Sequence, residues 1–288
     1  MIRRLIGFAS LLALLTGCSG PALFNALVPG GGYHVLKDVP YGEGTRRTLD
    51  VYVPDVPAAG VVVFLYGGRW NSGTKDYYRF VGQALASRGY ATVIPDYRLY
   101  PEVRFPGAIE DGAGAITWTQ FHARDFVPSN LPMFLLGHSA GAHTMAMLNL
   151  DPRWLAEQGL DVRTTISAAV GLAGPYDFLP ITDPVALAVF GPGEAGPETQ
   201  PITFVDGHAP PMLLIASRND TTVFPRNTER LAARIRAAGG IVEERYHERT
   251  GHVGLLAAIA APLRPFNSVL DEIDAFLRRY GGTPRSAP

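Results

Sequence analysis

A chain of 288 residues with 47% hydrophobic composition holds enough apolar material for one large domain, and single α/β domains commonly reach this length. Lys and Arg number 25 against 26 Asp and Glu, a formal net charge of −1 with no long basic run, so there is no electrostatic footprint for nucleic acid. A lone cysteine excludes an internal disulfide in any compartment.

In chain order, Arg3 and Arg4 precede an apolar run from Leu5 to Leu15, which leads into Thr16-Gly17-Cys18. A basic start, a short apolar stretch and a small-residue junction describe an export signal. At about 1.5 Å of rise per residue the run is far too short for a hydrocarbon layer of about 30 Å, so a permanent transmembrane helix is not expected. The cysteine directly after the small residues resembles a bacterial lipoprotein signal. Cleavage would leave Cys18 as a lipid-bearing N-terminus, anchoring the exported chain to the cell envelope. Ser19 in place of an aspartate leans toward the outer membrane, facing the periplasm. Residues 19–32, rich in Gly and Pro, are expected to form a tether, with the domain proper at 33–288.

Short apolar runs then alternate with helical patterns. Strands are expected at Thr48–Val53, Gly60–Leu65, Tyr90–Ile94, Pro132–Leu136, Ile166–Leu172, Pro211–Ala216 and Ile241–Tyr246. Several are near-continuous apolar runs, as strands buried on both faces are, which points to a largely parallel sheet. Helices are expected at Asp76–Ser87, Pro106–His122, Ala140–Leu150, Pro225–Ala238 and Phe266–Tyr280; the last carries apolar residues three and four apart and Gly281 as a stop. This alternation predicts an α/β fold with helices on both faces of the sheet. Residues 177–209 carry too many prolines for a regular element and are expected to form a long loop or short lid.

Pro132–Leu136 leads straight into Gly137-His138-Ser139-Ala140-Gly141, and a helical stretch follows. This is Gly-x-Ser-x-Gly between strand and helix, a sharp turn that projects the serine hydroxyl above the sheet and leaves no room for side chains two residues to either side. A serine hydroxyl needs a base, and the base an orienting acid. In this fold they follow in the order Ser, acid, His. His252, in a turn between a strand and a helical run, is the candidate base; His247 lies among glutamates, and His208 precedes the strand expected to carry the acid. Asp220, after the strand MLLIAS, is the candidate acid, with Asp177 second and Asp206 a distant third. Adjacent glycines at a strand end, in Tyr66-Gly67-Gly68-Arg69-Trp70, free backbone amides for an oxyanion, so the N–H groups of Gly68, Arg69 and Ala140 are expected to receive it. Trp70, Tyr176 and Phe178 would crowd the pocket toward small or aromatic substrates. Scattered histidines without metal-ligand spacing predict no metal and no other cofactor.

Together these residues resemble the bacterial carboxylesterases of the hormone-sensitive-lipase and feruloyl-esterase-like branch of the α/β hydrolases, with kynurenine formamidases as close cousins. The similarity runs from about Leu49 to Tyr280 and includes Asp96-Tyr97-Arg98-Leu99, Phe105-Pro106, Glu110-Asp111, Trp118, Gly174-Pro175-Tyr176-Asp177, Asp220-Thr221-Thr222-Val223 and Gly251-His252. It implies an α/β-hydrolase fold and a serine esterase acting on a small-molecule ester through an acyl-enzyme. A formamidase or other amidase would use the same residues, and a catalytically silent, lipid-anchored binding protein is the alternative of a different class. The chain departs from the family at Tyr66, where a histidine usually opens the oxyanion loop; the tyrosine is expected to hold that loop by its hydroxyl.

Overall fold

A computed structural model describes residues 24–128, 131–191 and 195–281. Its strands are β1 (Tyr33–Pro40), β2 (Thr48–Pro54), β3 (Gly60–Leu65), β4 (Tyr90–Pro95), β5 (Met133–His138), β6 (Ala168–Leu172), β7 (Met212–Ser217) and β8 (Val242–His247). Its principal helices are α1 (Arg79–Ala86), α2 (Gly107–His122), α3 (Ala140–Leu150), α4 (Pro184–Phe190), α5 (Arg226–Ala237), α6 (Gly251–Ala257) and α7 (Val269–Tyr280). The strands form one sheet in the order β1-β2-β4-β3-β5-β6-β7-β8. Both pairings of β2 are antiparallel and the other five are parallel. This is the α/β-hydrolase architecture.

Side-chain alternation along β3 explains how one sheet supports two layers of helix. Val62 and Phe64 pack with α1, α6 and α7, whereas Val61, Val63 and Leu65 pack with α2, α3 and α5. Fully burying each such side chain is worth roughly 1.5–3 kcal/mol. Because the strands from β3 onward are parallel, the loops leaving β3, β5, β7 and β8 all emerge at the same edge of the sheet.

The seven expected strands are present with ends shifted by at most two residues. The eighth, β1, has no long apolar run because it is an edge strand, largely exposed and bulged between Leu36 and Val39. The expected first helix divides into a 3-10 turn at Lys75–Tyr78 and α1. The last helix starts at Val269 rather than Phe266, since the Asn267 carboxamide oxygen accepts from the N–H of Val269 at 3.0 Å and opens the helix there. Residues 177–209 are not wholly irregular. Asp183 caps α4 by accepting from the N–H of Ala186 at 2.9 Å, and Pro184 sits in the first turn, where a missing N–H costs nothing.

The expected signal and Cys18 lie outside the described residues. Within the expected tether, Phe24 is buried with its ring 5.6 Å from that of Phe80, and the Asn25 side-chain oxygen accepts from the N–H of Phe80. That part of the segment is therefore docked on the domain.

Candidate active site

Between β5 and α3 the chain turns at Ser139 with φ 55° and ψ −123°. Strain of this kind costs of order 1–3 kcal/mol and persists only where the surroundings enforce it. Here they do. A Cβ on Gly141 would lie 2.1 Å from the carbonyl oxygen of Leu65, and one on Gly137 would lie 2.5 Å from that of Gly141. The N–H of Ser139 donates to the Leu172 carbonyl at 2.9 Å, tying the turn to β6.

His252 is the second residue of α6, entered through Gly251 at φ 65°. The Gly251 N–H donates to Ser217 Oγ and to Asn219 Oδ1, both at 2.9 Å, which fixes the entry to the end of β7. From there His252 Nε2 lies 2.8 Å from Ser139 Oγ, and Nδ1 lies 2.7 Å from Asp220 Oδ2. The other Asp220 oxygen accepts from the N–H groups of Thr222 and Val223, at 2.8 and 2.9 Å. Burial alone would raise this carboxyl; the bond and charge of His252 together with the two amides outweigh it and hold the group below its ordinary value.

The other candidates are engaged elsewhere. Asp177 pairs with Arg230 at 2.9 Å, and Asp206 with Arg163 at 3.3 Å. His247 is mostly buried and faces Glu272 at 3.1 Å, a paired residue rather than a freely solvated one.

The loop after β3 runs against the nucleophile. A Cβ on Gly67 would lie 2.8 Å from the Cβ of Ser139, and one on Gly68 would lie 2.0 Å from the Ser72 carbonyl oxygen. Gly68, Arg69 and Trp70 have φ of 138°, 55° and 59°, three consecutive residues in the left-handed region. Among the described residues, the N–H groups of Gly68, Arg69 and Ala140 are donated to no backbone carbonyl.

Tyr66 is fully buried beneath this loop, its ring stacked between those of Tyr78 and Tyr97 at 5.1 and 4.6 Å. Its hydroxyl donates to Asp96 Oδ1 at 2.6 Å and accepts from Arg46 at 2.9 Å. Arg46 also donates to the carbonyls of Gly73 and Tyr97, and Asp96 Oδ1 accepts from the N–H of Lys75. Burial pushes the phenol far above its ordinary value, so it stays a neutral donor. Tyr66 stands out in the sequence by its place before the glycines, whereas its partners Arg46, Asp96 and Tyr97 come from other segments. The run Asp96-Tyr97 was the available signal.

A cleft of about 640 Å³ opens over Ser139. Trp70 and Phe178 line it, with rings stacked 6.3 Å apart. Tyr176 does not. Its N–H is held by the Asn227 side chain at 2.9 Å and its ring lies wholly in the core, where a Cβ on Gly171 would meet the hydroxyl at 2.1 Å. The turn after β6 points Tyr176 inward and presents Pro175 and Phe178 instead.

Two histidines that composition left unremarked are buried at the site. His138 contacts the His252 carbonyl through Nε2 at 3.2 Å, and burial pushes its pKa down to about 3. His143 donates to the Thr199 carbonyl at 2.8 Å within a box of Trp70, Phe178 and Phe190, and burial pushes it down to about 4.

A family model described as BD-FAE matches residues 49–235. A probable isoprenylcysteine alpha-carbonyl methylesterase of Oryza sativa subsp. japonica is 31% identical over 154 residues, covering 52% of this chain and 37% of that protein. Esterase LipC of Mycobacterium tuberculosis is 29% identical over 222 residues, covering 70% of this chain and 55% of that protein. The chain thus spans between about a third and about half the length of these relatives. The solved structure of a truncated carbohydrate esterase from gut microbiota superposes with a TM-score of 0.73 at 18% identity, over 88% of this chain and 99% of that one.

Two outcomes follow from this geometry. Tyr66→Phe removes both the bond donated to Asp96 and the bond accepted from Arg46. Asp96 keeps the Lys75 N–H and Arg46 keeps the carbonyls of Gly73 and Tyr97, so the loop stays held and turnover is expected to fall by no more than about tenfold. A hundredfold loss with the fold intact by circular dichroism would mean that the hydroxyl acts on the reacting atoms, as an oxyanion donor does. Second, an unfolded histidine takes up a proton near pH 6.5, whereas His138 and His143 refuse it until about 3 and about 4. The unfolded state therefore binds more protons across that window, and stability falls as pH is lowered through it. Thermal melts from pH 7.5 to 4.5 should show this loss, with a shallower slope in His143→Phe.

Proposed function

The chain belongs to the BD-FAE family, and from that premise we propose that it is a carboxylic ester hydrolase with Ser139 as nucleophile, His252 as general base and Asp220 as the acid that orients it. What carries this is the continuous line Ser139–His252–Asp220, with contacts of 2.8 and 2.7 Å, at the floor of a cleft. Ser139 Oγ attacks the ester carbonyl carbon while His252 Nε2 takes its proton. Asp220, held ionised, fixes the imidazole tautomer and offsets the charge it gains. The N–H groups of Gly68, Arg69 and Ala140 meet the oxyanion. The imidazolium returns the proton to the departing alcohol, leaving an acyl ester on Ser139. Water then attacks that ester while His252 takes its proton, and the imidazolium returns it to Ser139 Oγ as the acid departs, which restores the free serine. Trp70 and Phe178 favour small or aromatic esters over long acyl chains.

Fluorophosphonate labelling and p-nitrophenyl acetate turnover test the assignment together. Wild-type protein is expected to label and to turn over. Ser139→Ala should abolish labelling and lower turnover by several decades, with His252→Ala close behind and Asp220→Asn less affected. An Asp177→Asn variant more damaged than Asp220→Asn would overturn the choice of acid. Faster turnover of an N-formyl arylamine than of any ester would move the assignment to a formamidase, and absence of both labelling and turnover would leave a binding protein.

We further propose that Cys18 carries the lipid of an envelope anchor, on the basis of the residues preceding it. Cys18→Ser should then shift the protein from the membrane to the soluble fraction of a bacterial host with activity retained, since several acyl chains hold a protein firmly. An N-terminus not processed at Cys18, read by mass spectrometry, would contradict it.

A further inference from the structure

The cleft over Ser139 is not uniform. Trp70, Phe178, Leu179 and Ile181 make part of its wall apolar, whereas the loop that follows Asp220 contributes exposed Thr221 and Thr222 and then Arg226. Two arginines line the cleft, Arg69 and Arg226, and their circumstances differ. Arg69 is neutralised by Asp183. Arg226 makes no ion pair among the described residues, although its neighbours do: Arg218 pairs with Glu229, Arg230 with Asp177 and Arg236 with Glu244.

Helix stability does not account for Arg226. It is the first residue of α5, the end at which the helix dipole opposes a cation. Its guanidinium carbon instead lies 5.0 Å from the centroid of the Phe224 ring, which also lines the cleft. A guanidinium over a ring face is attracted to it without using its N–H donors, and a guanidinium edge takes a carboxylate through two parallel bonds.

We propose that Arg226 selects substrates that carry an anionic group, a carboxylate in particular, elsewhere in the molecule than the scissile ester. The substrate class is an amphiphilic ester whose apolar part lies along Trp70 and Phe178 and whose anion reaches Arg226. This rests on the esterase assignment of the same cleft.

Matched substrates test it on both sides of the ester bond. On the acyl side the pair is p-nitrophenyl hemisuccinate and p-nitrophenyl butyrate; on the alcohol side it is 4-acetoxybenzoate and 4-acetoxybenzamide. Comparing the anionic-to-neutral ratio of kcat/KM between wild type and Arg226→Gln cancels the intrinsic reactivity of each compound. For at least one pair the ratio is expected to fall about tenfold, through KM, because a charge-assisted bond made equally in the ground and transition states acts on binding. Arg226→Lys should keep part of the preference, and added salt should erode it in wild type and not in Arg226→Gln. Ratios unchanged within twofold for both pairs would overturn the proposal. If no ester is turned over, the esterase assignment fails, and calorimetry with the same four compounds on Ser139→Ala protein decides the role of Arg226 separately. Tighter binding of an anionic member, lost in Ser139→Ala/Arg226→Gln, would sustain it, and equal binding would end it.

Discussion

The end of β3 and the turn at Ser139 occupy almost the same space, and much of the site depends on that contact. The carbonyls of Leu65 and Tyr66 press where a side chain on Gly141 would stand, and Gly67 meets Ser139 itself. A glycine on each side lets two backbones approach as no other residue pair would permit. That approach brings three things together in one place: the serine hydroxyl, the first amide of α3 and the amides of the loop after Gly67. Parallel strands then deliver Asp220 and His252 to the same edge from β7 and β8.

A loop with three successive residues at positive φ needs support from below, and the support is polar. Tyr66, Asp96 and Arg46 form a connected set whose bonds reach Gly73, Lys75 and Tyr97, so both ends of the loop are held to the core. Such a network is stiff only when its members are all satisfied, since a buried donor or acceptor left alone costs about 1–3 kcal/mol. Glycine makes the loop possible, and this network makes it rigid.

What could be read from the sequence was whatever is encoded locally. Long apolar runs marked the interior strands, and Gly-x-Ser-x-Gly between a strand and a helix marked the turn at Ser139. Chain order narrowed the base and the acid to His252 and Asp220, which the fold brings into line with Ser139. The missing parts are those whose signal is relational. β1 is an edge strand and carries no buried run. α4 rests on a cap at Asp183 among prolines that individually discourage a helix. Tyr176 has a residue type that suits a pocket wall, but its direction is set by Asn227, 51 positions away. His143 is ordinary in sequence and becomes a neutral buried group only because Trp70, Phe178 and Phe190 converge around it.

Arg69 occupies two positions at once. Its backbone belongs to the loop beside Ser139, and its side chain grips Asp183, the residue that starts α4 over the cleft. Were a bulky guest to part that pair, the segment whose amide is assigned to the oxyanion would lose one of its ties. Size discrimination on the proposed mechanism would then appear as a fall in catalytic rate for molecules that still bind. The enzyme would measure its substrates after admitting them.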